Sequence, residues 1–268
     1  MTFSILIAHY NNFAYFTECY RSILKQTYQN FEVILVDDCS TDGSLEKIRE
    51  LAVNDPRVKI FKNEQNKGVG FTKRRCAENA SGEICGFVDP DDAIVENALE
   101  RSITEYQDPE IVATHSQFQI CDSRLKINRL FPSTKSVKNK NPKFFNINLE
   151  VNHFFTFRKS AYDRTSGINA DLTSAVDQDL YLKLYETGNF KYIKEPLYLY
   201  RLHDKGVSQD QSKKEKLNKN WQTVLQNACE RRSISNLYGR RISEIKNLPE
   251  FIFKKQNTLI SKILKRLS

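Results

Sequence analysis

The feature that most limits what this chain can fold into is a repeated alternation across its first hundred residues. Phe3 to Ala8, Phe31 to Val36, Val58 to Phe61 and Ile84 to Val88 are short, nearly continuous apolar runs. A strand needs such a run when helices cover both faces of a parallel sheet, because neither side meets water. Between the runs the apolar spacing changes. Phe13, Phe16, Tyr20, Ile23 and Leu24 recur every three or four residues behind Asn12, and Leu45, Ile48 and Ala52 do so behind Asp42. That is the pattern of amphipathic helices with polar residues at their starts. The order reads βαβαβαβ, and the fold class is α/β.

After Asp92 the pattern loosens. Ile94, Ala98, Leu99 and Tyr106 predict another helix, Ile111 to Ala113 a strand, and the stretch through Phe131 a mixed β region. Ser133 to Lys143 holds four lysines, two asparagines and a proline with almost nothing apolar, and reads as a mobile loop. Strand-like Val151 to Phe157, a helix from about Asp177 to Glu186 and strand-like Phe190 to Ile193 complete a core ending near Ser208. Residues 209–268 form a helical extension. Lys213 to Arg232 carries Trp221, Val224 and Leu225 on one side, and Phe251 to Leu267 is basic and amphipathic.

The chain has 268 residues, enough for one elaborated domain or two small ones. Its formal charge of +8 suits a polyanionic partner: nucleic acid, an acidic membrane face or a phosphorylated small molecule. Cys19, Cys39, Cys76, Cys85, Cys121 and Cys229 are far apart and form no C-x-x-C pair, so free thiols and a cytoplasmic location are expected. No apolar run reaches the length of a spanning helix. His9, His115, His153 and His203 lack finger-like spacing to the cysteines, which argues against zinc.

In an open α/β sheet, ligands gather beyond the carboxyl ends of the strands. Two acidic clusters fall there: Asp37-Asp38 follows the second strand, and Asp89-Pro90-Asp91-Asp92 follows the fourth. Carboxylates crowded at one rim repel unless something positive sits among them, and a hard divalent cation with diphosphate oxygens suits such ligands. The turn after the first strand is Ala8-His9-Tyr10-Asn11-Asn12 rather than G-x-G-x-x-G, and no G-x-x-x-x-G-K-[ST] occurs. A dinucleotide oxidoreductase and a P-loop NTPase are therefore poor readings. Capping explains Asp37, Asp38, Ser40 and Asp42 equally well when they are taken alone.

Ser4-Ile5-Leu6-Ile7 with Tyr10-Asn11, Ser22 to Tyr28, Val36 to Ser44, Asn66-Lys67-Gly68-Val69, Ser81-Gly82-Glu83, Asp89 to Asp92, Asp177-Gln178-Asp179-Leu180 and Tyr200-Arg201-Leu202-His203 stand in this order. The ordered set resembles the family 2 glycosyltransferases of GT-A fold. The resemblance implies a mixed, Rossmann-like sheet flanked by helices, in a catalytic domain at 1–208. Residues 1–115 would form the nucleotide-sugar half and 116–208 the acceptor side. It also implies roles. Asp37 would accept from the uracil N3–H of a UDP-sugar with Tyr10 near the base, Lys73 would counter diphosphate charge, and Asp89 would hold the ribose or a metal-bound water. Asp91 and His203 would hold Mn2+ or Mg2+. Asp177 would act as base in an inverting transfer to a glycan or lipid-linked glycan hydroxyl. The chain departs from the family pattern at Ala8, in place of the usual proline, at Pro90 inside the D-x-D, and at Val176, where an acid is common. Asp177 and Asp179 lie about 200° apart on a helix, so only one faces the site, and the sequence leaves both open.

Leu259, Ile260, Ile263, Leu264 and Leu267 share one face with Lys262, Lys265 and Arg266 elsewhere. A membrane-surface helix at the cytoplasmic face and a helix packed on protein both satisfy that pattern. A sugar nucleotidyltransferase would want a glycine- and arginine-rich loop after the first strand, which is missing. A nucleic-acid module would want a reading motif among the dispersed basic residues, and none is present.

Overall fold

The structure is a computed structural model describing residues 1–204 and 214–258. The four apolar runs form β1 (Phe3–His9), β2 (Phe31–Asp37), β3 (Val58–Lys62) and β4 (Ile84–Phe87), joined by α1 (Phe13–Leu24), α2 (Ser44–Ala52) and α3 (Val69–Asn79). β1 pairs in parallel with β2 on one side and β4 on the other, and β3 continues beyond β2. The strand order therefore reverses at β1, which opens a crevice at the carboxyl ends of β1, β2 and β4.

The second half makes the sheet mixed. After β5 (Ala93–Ile94) and α4 (Ala98–Glu105) come β6 (Ile111–Cys121), β7 (Ile127–Leu130), β8 (Phe155–Arg158), α5 (Lys159–Tyr162), α6 (Val176–Tyr185) and β9 (Asn189–Arg201). The sheet runs β3-β2-β1-β4-β8-β6-β9-β5, with β7 on β6. β8 is antiparallel to β4 and β6, while β9 is parallel to β6. This is the GT-A arrangement.

Side chains of β1 show why two layers are needed. Phe3, Ile5 and Ile7 enter a core with Phe16 and Ile23 of α1, whereas Leu6 faces the opposite core with Cys76 and Ala77 of α3 and Leu180 of α6. α7 (Lys214–Arg231) and α8 (Leu248–Gln256) join that second core through Val224, Leu225, Ala228, Leu248 and Ile252. Between them lie β10 (Asn236–Leu237), β11 (Arg240–Arg241) and one turn of 3-10 helix. The helix expected at Lys213 to Arg232 is thus α7, its apolar side spent on the core. The amphipathic pattern from Leu259 to Leu267, like Ser208, lies outside the described residues.

Three expectations change. Ile94 belongs to β5 rather than to the following helix. The mixed β region resolves into one eleven-residue strand, β6, with β7 folded back on it. Ser133 to Lys143 has no regular structure, yet its backbone is pinned: Asn139 exchanges side-chain hydrogen bonds with both backbone groups of Phe190, and the Asn141 N–H donates to the Tyr185 hydroxyl. The Asn139 side chain ties it to β9, and its backbone at Lys138 and Asn141 ties it to Tyr185 of α6.

Candidate active site

The β2 acids look inward. Asp37 is fully buried; the Ser40 hydroxyl and His9 Nδ1 lie 2.5 and 3.1 Å from Oδ1, and the Ser40 N–H donates to Oδ2 at 2.9 Å. Burial alone would raise its pKa, but the contacts with His9 and Ser40 outweigh that and hold the carboxyl below the usual carboxylate range. As placed, Asp37 offers no surface to a uracil. The exposed group beside it is Tyr10, at 46%. Asp38 is a clamp: Oδ1 accepts from Asn63 and the Lys67 N–H, and Oδ2 from the Gly68 N–H. It fixes the loop that starts α3.

Two residues into α3, Gly70 packs backbone against backbone. A Cβ there would lie 2.5 Å from the Leu172 carbonyl oxygen and 2.7 Å from that of Asn169. This close approach draws the segment before α6 onto α3, and it brings together residues 104 positions apart in sequence. Lys73 Nζ lies 2.8 Å from Asp177 Oδ1 and 3.0 Å from Asp89 Oδ1, with the Phe87 ring 5.2 Å away. Burial would lower the Lys73 pKa, yet Asp177 and Asp89 together drive it up. Burial would raise Asp89, and Lys73, followed by His153, brings it down. Lys73, expected beside a diphosphate, lies between two acids. Arg74 bonds Glu78 and the Ser166 and Ile168 carbonyls, and Arg75 bonds Lys62 and Asn63.

α6 separates its two acids. Asp179 is 1% exposed and accepts from the Asn169 N–H at 2.8 Å and Lys183 at 2.7 Å. Asp177 keeps 36% of its side-chain surface and faces Asp89 across Lys73. Of the two, Asp177 is the one that a substrate could reach.

The β4 cluster divides likewise. Asp92 is buried, accepting from the Arg201 N–H and the Tyr198 hydroxyl, each at 2.8 Å. Burial and then the charges of Asp91 and Asp89 push its carboxyl well above the usual range. Asp91 points the other way, its Oδ2 2.8 Å from His203 Nε2. The His203 ring lies 4.6 Å from that of Tyr15. Arg201 secures this corner by donating to the Asp91 and Ser123 carbonyls while pairing with Glu18.

Asp91 and His203 offer one hard oxygen and one nitrogen to a cation. Among the described residues, no three His, Cys, Asp or Glu side chains converge to cage a metal ion. The chemistry of this pair is of a kind that Mn2+ or Mg2+ would accept, with diphosphate oxygens and water as the further ligands. The sequence reasoning missed three neighbours of the cluster: Tyr198, Arg201 as a structural clamp, and His153. Burial lowers the His153 pKa against the opposing pull of Asp89, Asp177 and Asp91. Only the alternation of Tyr198 and Tyr200 on one strand face hinted at this wall.

The model for "Glycosyl transferase family 2" matches residues 4–165. The chain belongs to glycosyl transferase family 2. Within that family it is 30% identical over 258 residues to a chondroitin synthase of Pasteurella multocida, a match that covers 94% of this chain and 26% of the synthase. It thus spans about a quarter of that relative's length. Among solved structures, S. aureus TarS 1-349 in complex with UDP-GlcNAc superposes with a TM-score of 0.72 at 21% identity, over 98% of this chain and 78% of TarS. The mannosyltransferase PcManGT of Pyrobaculum calidifontis, in complex with GDP-Man and Mn2+, gives 0.61 at 16%, over 99% and 78%. At those identities the likeness speaks for the GT-A fold alone.

Proposed function

We propose that this family 2 protein transfers a sugar from a UDP-sugar to a hydroxyl of a growing glycan, with inversion at the transferred carbon. The observation that carries the reading is the Asp89–Lys73–Asp177 bridge, which joins a strand-end acid on the donor side to a helix-start acid that remains open to substrate. Asp177 takes the proton of the attacking hydroxyl as that oxygen bonds to C1 and the bond from C1 to the diphosphate oxygen breaks; the electron pair departs with UDP. A single in-line displacement inverts the centre. Lys73, 2.8 Å from its carboxylate, holds Asp177 aimed until the substrate arrives. Tyr10 covers the base, Asp89 receives the ribose, and Asp37 reaches the uracil N3–H once Ser40 releases one of its oxygens.

A divalent ion held by Asp91 and His203 would neutralise charge on the leaving diphosphate. The donor half is 1–115 and the acceptor half 116–208. The relative named above is a chondroitin synthase, and TarS was solved with UDP-GlcNAc, which favours a polysaccharide acceptor and an N-acetylhexosamine or related donor. We further assign peripheral contact with the inner membrane face to the C-terminal end, where Phe253 is 51% exposed beside Lys254 and Lys255.

The test is a panel of UDP-sugars read by thermal shift and UDP release, with and without Mn2+. One donor should raise the melting temperature selectively. Asp91→Ala should remove the Mn2+-dependent part of that rise. Asp177→Asn should keep donor binding and slow transfer about 100-fold or more, the scale of a lost general base. Normal transfer by Asp177→Asn sinks the base assignment.

A further inference from the structure

A row of rings runs away from the acid cluster, and none of the roles above uses it. His153 stacks on Tyr198 with 4.6 Å between ring centres and lies nearly parallel to Tyr200 at 6.1 Å. Phe118 stacks on Phe131 at 4.6 Å and meets His153 and Tyr200 edge-on at 6.0 and 5.9 Å. Tyr198 and Phe118 are buried and form the floor, whereas His153, Tyr200 and Phe131 each keep part of their surface. Ile127 and Leu130 of β7 extend the same edge and are about half exposed, at 53% and 50%.

The row starts at the chemistry. The Tyr198 hydroxyl accepts from the Asp89 N–H at 3.1 Å and donates to Asp92, so the ring beneath His153 is part of the wall behind the acids. Asp89, Asp177 and Asp91 are all near enough to act on the His153 imidazole. A ligand lying on the row therefore has an ionised acid and an imidazole at one end and apolar ring faces along its length. A pyranose matches both demands, with C–H groups on one face and hydroxyls at its rim. Aromatic faces carry such apolar surfaces well, and half-buried rings lose little freedom in doing so.

We propose that His153, Tyr200 and Phe131 form the acceptor subsite, on which a pyranose of the glycan chain lies while it presents one hydroxyl to Asp177. This rests on the transferase reading and adds the class of ligand and the residues that hold it. Tyr200 and Phe131 carry the sugar's apolar face. His153 accepts or donates a hydrogen bond at the hydroxyl rim and positions the ring.

The experiment measures UDP release from UDP-GlcNAc, UDP-GalNAc, UDP-glucose and UDP-glucuronic acid with Mn2+. Methyl β-glucuronide, methyl β-N-acetylglucosaminide or methyl β-galactoside is titrated as acceptor. At least one pyranoside should accelerate release by the wild type. Tyr200→Ala, Phe131→Ala and His153→Gln should each raise its KM about 3- to 12-fold, the worth of one aromatic or polar contact, with the donor KM as internal control. Tyr200→Phe should restore a KM near wild type, which a general loss of packing would not allow. An acceptor KM unmoved by all three substitutions overturns the subsite. So does a rise in the donor KM in place of the acceptor's, which would give the rings to the nucleotide, and so does a wild type that turns over donor but answers to no pyranoside. A wild type that neither binds nor cleaves any UDP-sugar defeats the transferase reading itself.

Discussion

Removing the Lys73 charge, with Lys73→Met as the cleanest substitution, tests whether the bridge between the two halves of the site is real. The side chain is 5% exposed and sits 2.8 Å from Asp177 and 3.0 Å from Asp89. At such separations the attraction to each acid is about 6 kcal/mol for an effective dielectric near 20. Desolvation of the ammonium cancels much of this, and Asp177, at 36% exposed, recovers water when its partner goes. A net loss of about 2–4 kcal/mol remains, or about 5–10 °C in melting temperature for a chain of this size. The pH dependence has a definite sign. Asp89 titrates below its ordinary value when folded, so its share of stability is complete above about pH 4 and fades as pH falls through the folded value. Lys73 titrates above its ordinary value, so its share is complete at all pH values below about 10. The deficit of Lys73→Met should therefore be flat from pH 6 to 8 and shrink only as pH falls below about 4. A double-mutant cycle sharpens the test. Asp177→Asn should cost stability in the wild type, where it breaks an ion pair, but raise stability in the Lys73→Met background, where it relieves repulsion with Asp89. Denaturant melts of the four proteins at pH 7 decide the matter. Additive effects, or a Lys73→Met loss under about 1 kcal/mol, would refute the bridge.

Three further outcomes follow from buried carboxylates. Glu32, held by Lys59, Ser4 and Ser81 against the opposing effect of burial, titrates at about 2, so Glu32→Gln should cost about 2–3 kcal/mol at pH 7 and progressively less below pH 4 in urea melts. Asp38→Asn turns an amide donor toward the N–H groups of Lys67 or Gly68. It should destabilise by about 2–4 kcal/mol and speed hydrogen exchange at those two amides before any other. Asp179→Asn should lower stability by about 2–4 kcal/mol by leaving the buried Lys183 ammonium without its carboxylate and bonded to the Gly167 carbonyl, yet leave the transfer rate per folded molecule within about threefold of wild type, in contrast to Asp177→Asn.

The first half of the fold was legible because its physics is local. A strand covered on both faces must be largely apolar, and β1, β2 and β4 are, with Ser4 and Glu32 hydrogen-bonded to each other inside the pair and His9 and Asp37 at its end. β9 was read only at Phe190 to Ile193 because its thirteen residues mix buried and exposed positions, and Pro196 sits where the pairing with β6 shifts register. Ser133 to Lys143 looked mobile because Asn139 and Asn141 betray nothing of their partners until β9 and α6 are in place. The acidic clusters were found by their position at strand ends, but spacing cannot tell which carboxylates turn inward. Asp37, Asp38 and Asp92 are spent on backbone and side-chain donors, while Asp91 and Asp177 keep exposed surface.

That division bears on the argument from charge crowding. Carboxylates at one rim do need a positive partner, and a divalent ion is one candidate, but the chain supplies cations of its own. Lys73 lies between Asp89 and Asp177 and Arg201 behind the Asp91 carbonyl, while His203 gives the Asp91 carboxylate a hydrogen-bond partner. Crowded acids are thus weaker evidence for a metal than they look in sequence, and the case narrows to Asp91 with His203. If those two hold a cation, the ion intrudes into their 2.8 Å contact, so titrating Mn2+ should perturb the His203 ring resonances and leave those of His115 unmoved. His115 is fully buried within β6. Broadening spread evenly over all four histidines would mean that Mn2+ binds the surface at large, and the Asp91–His203 pair would then be only a hydrogen bond that closes the corner.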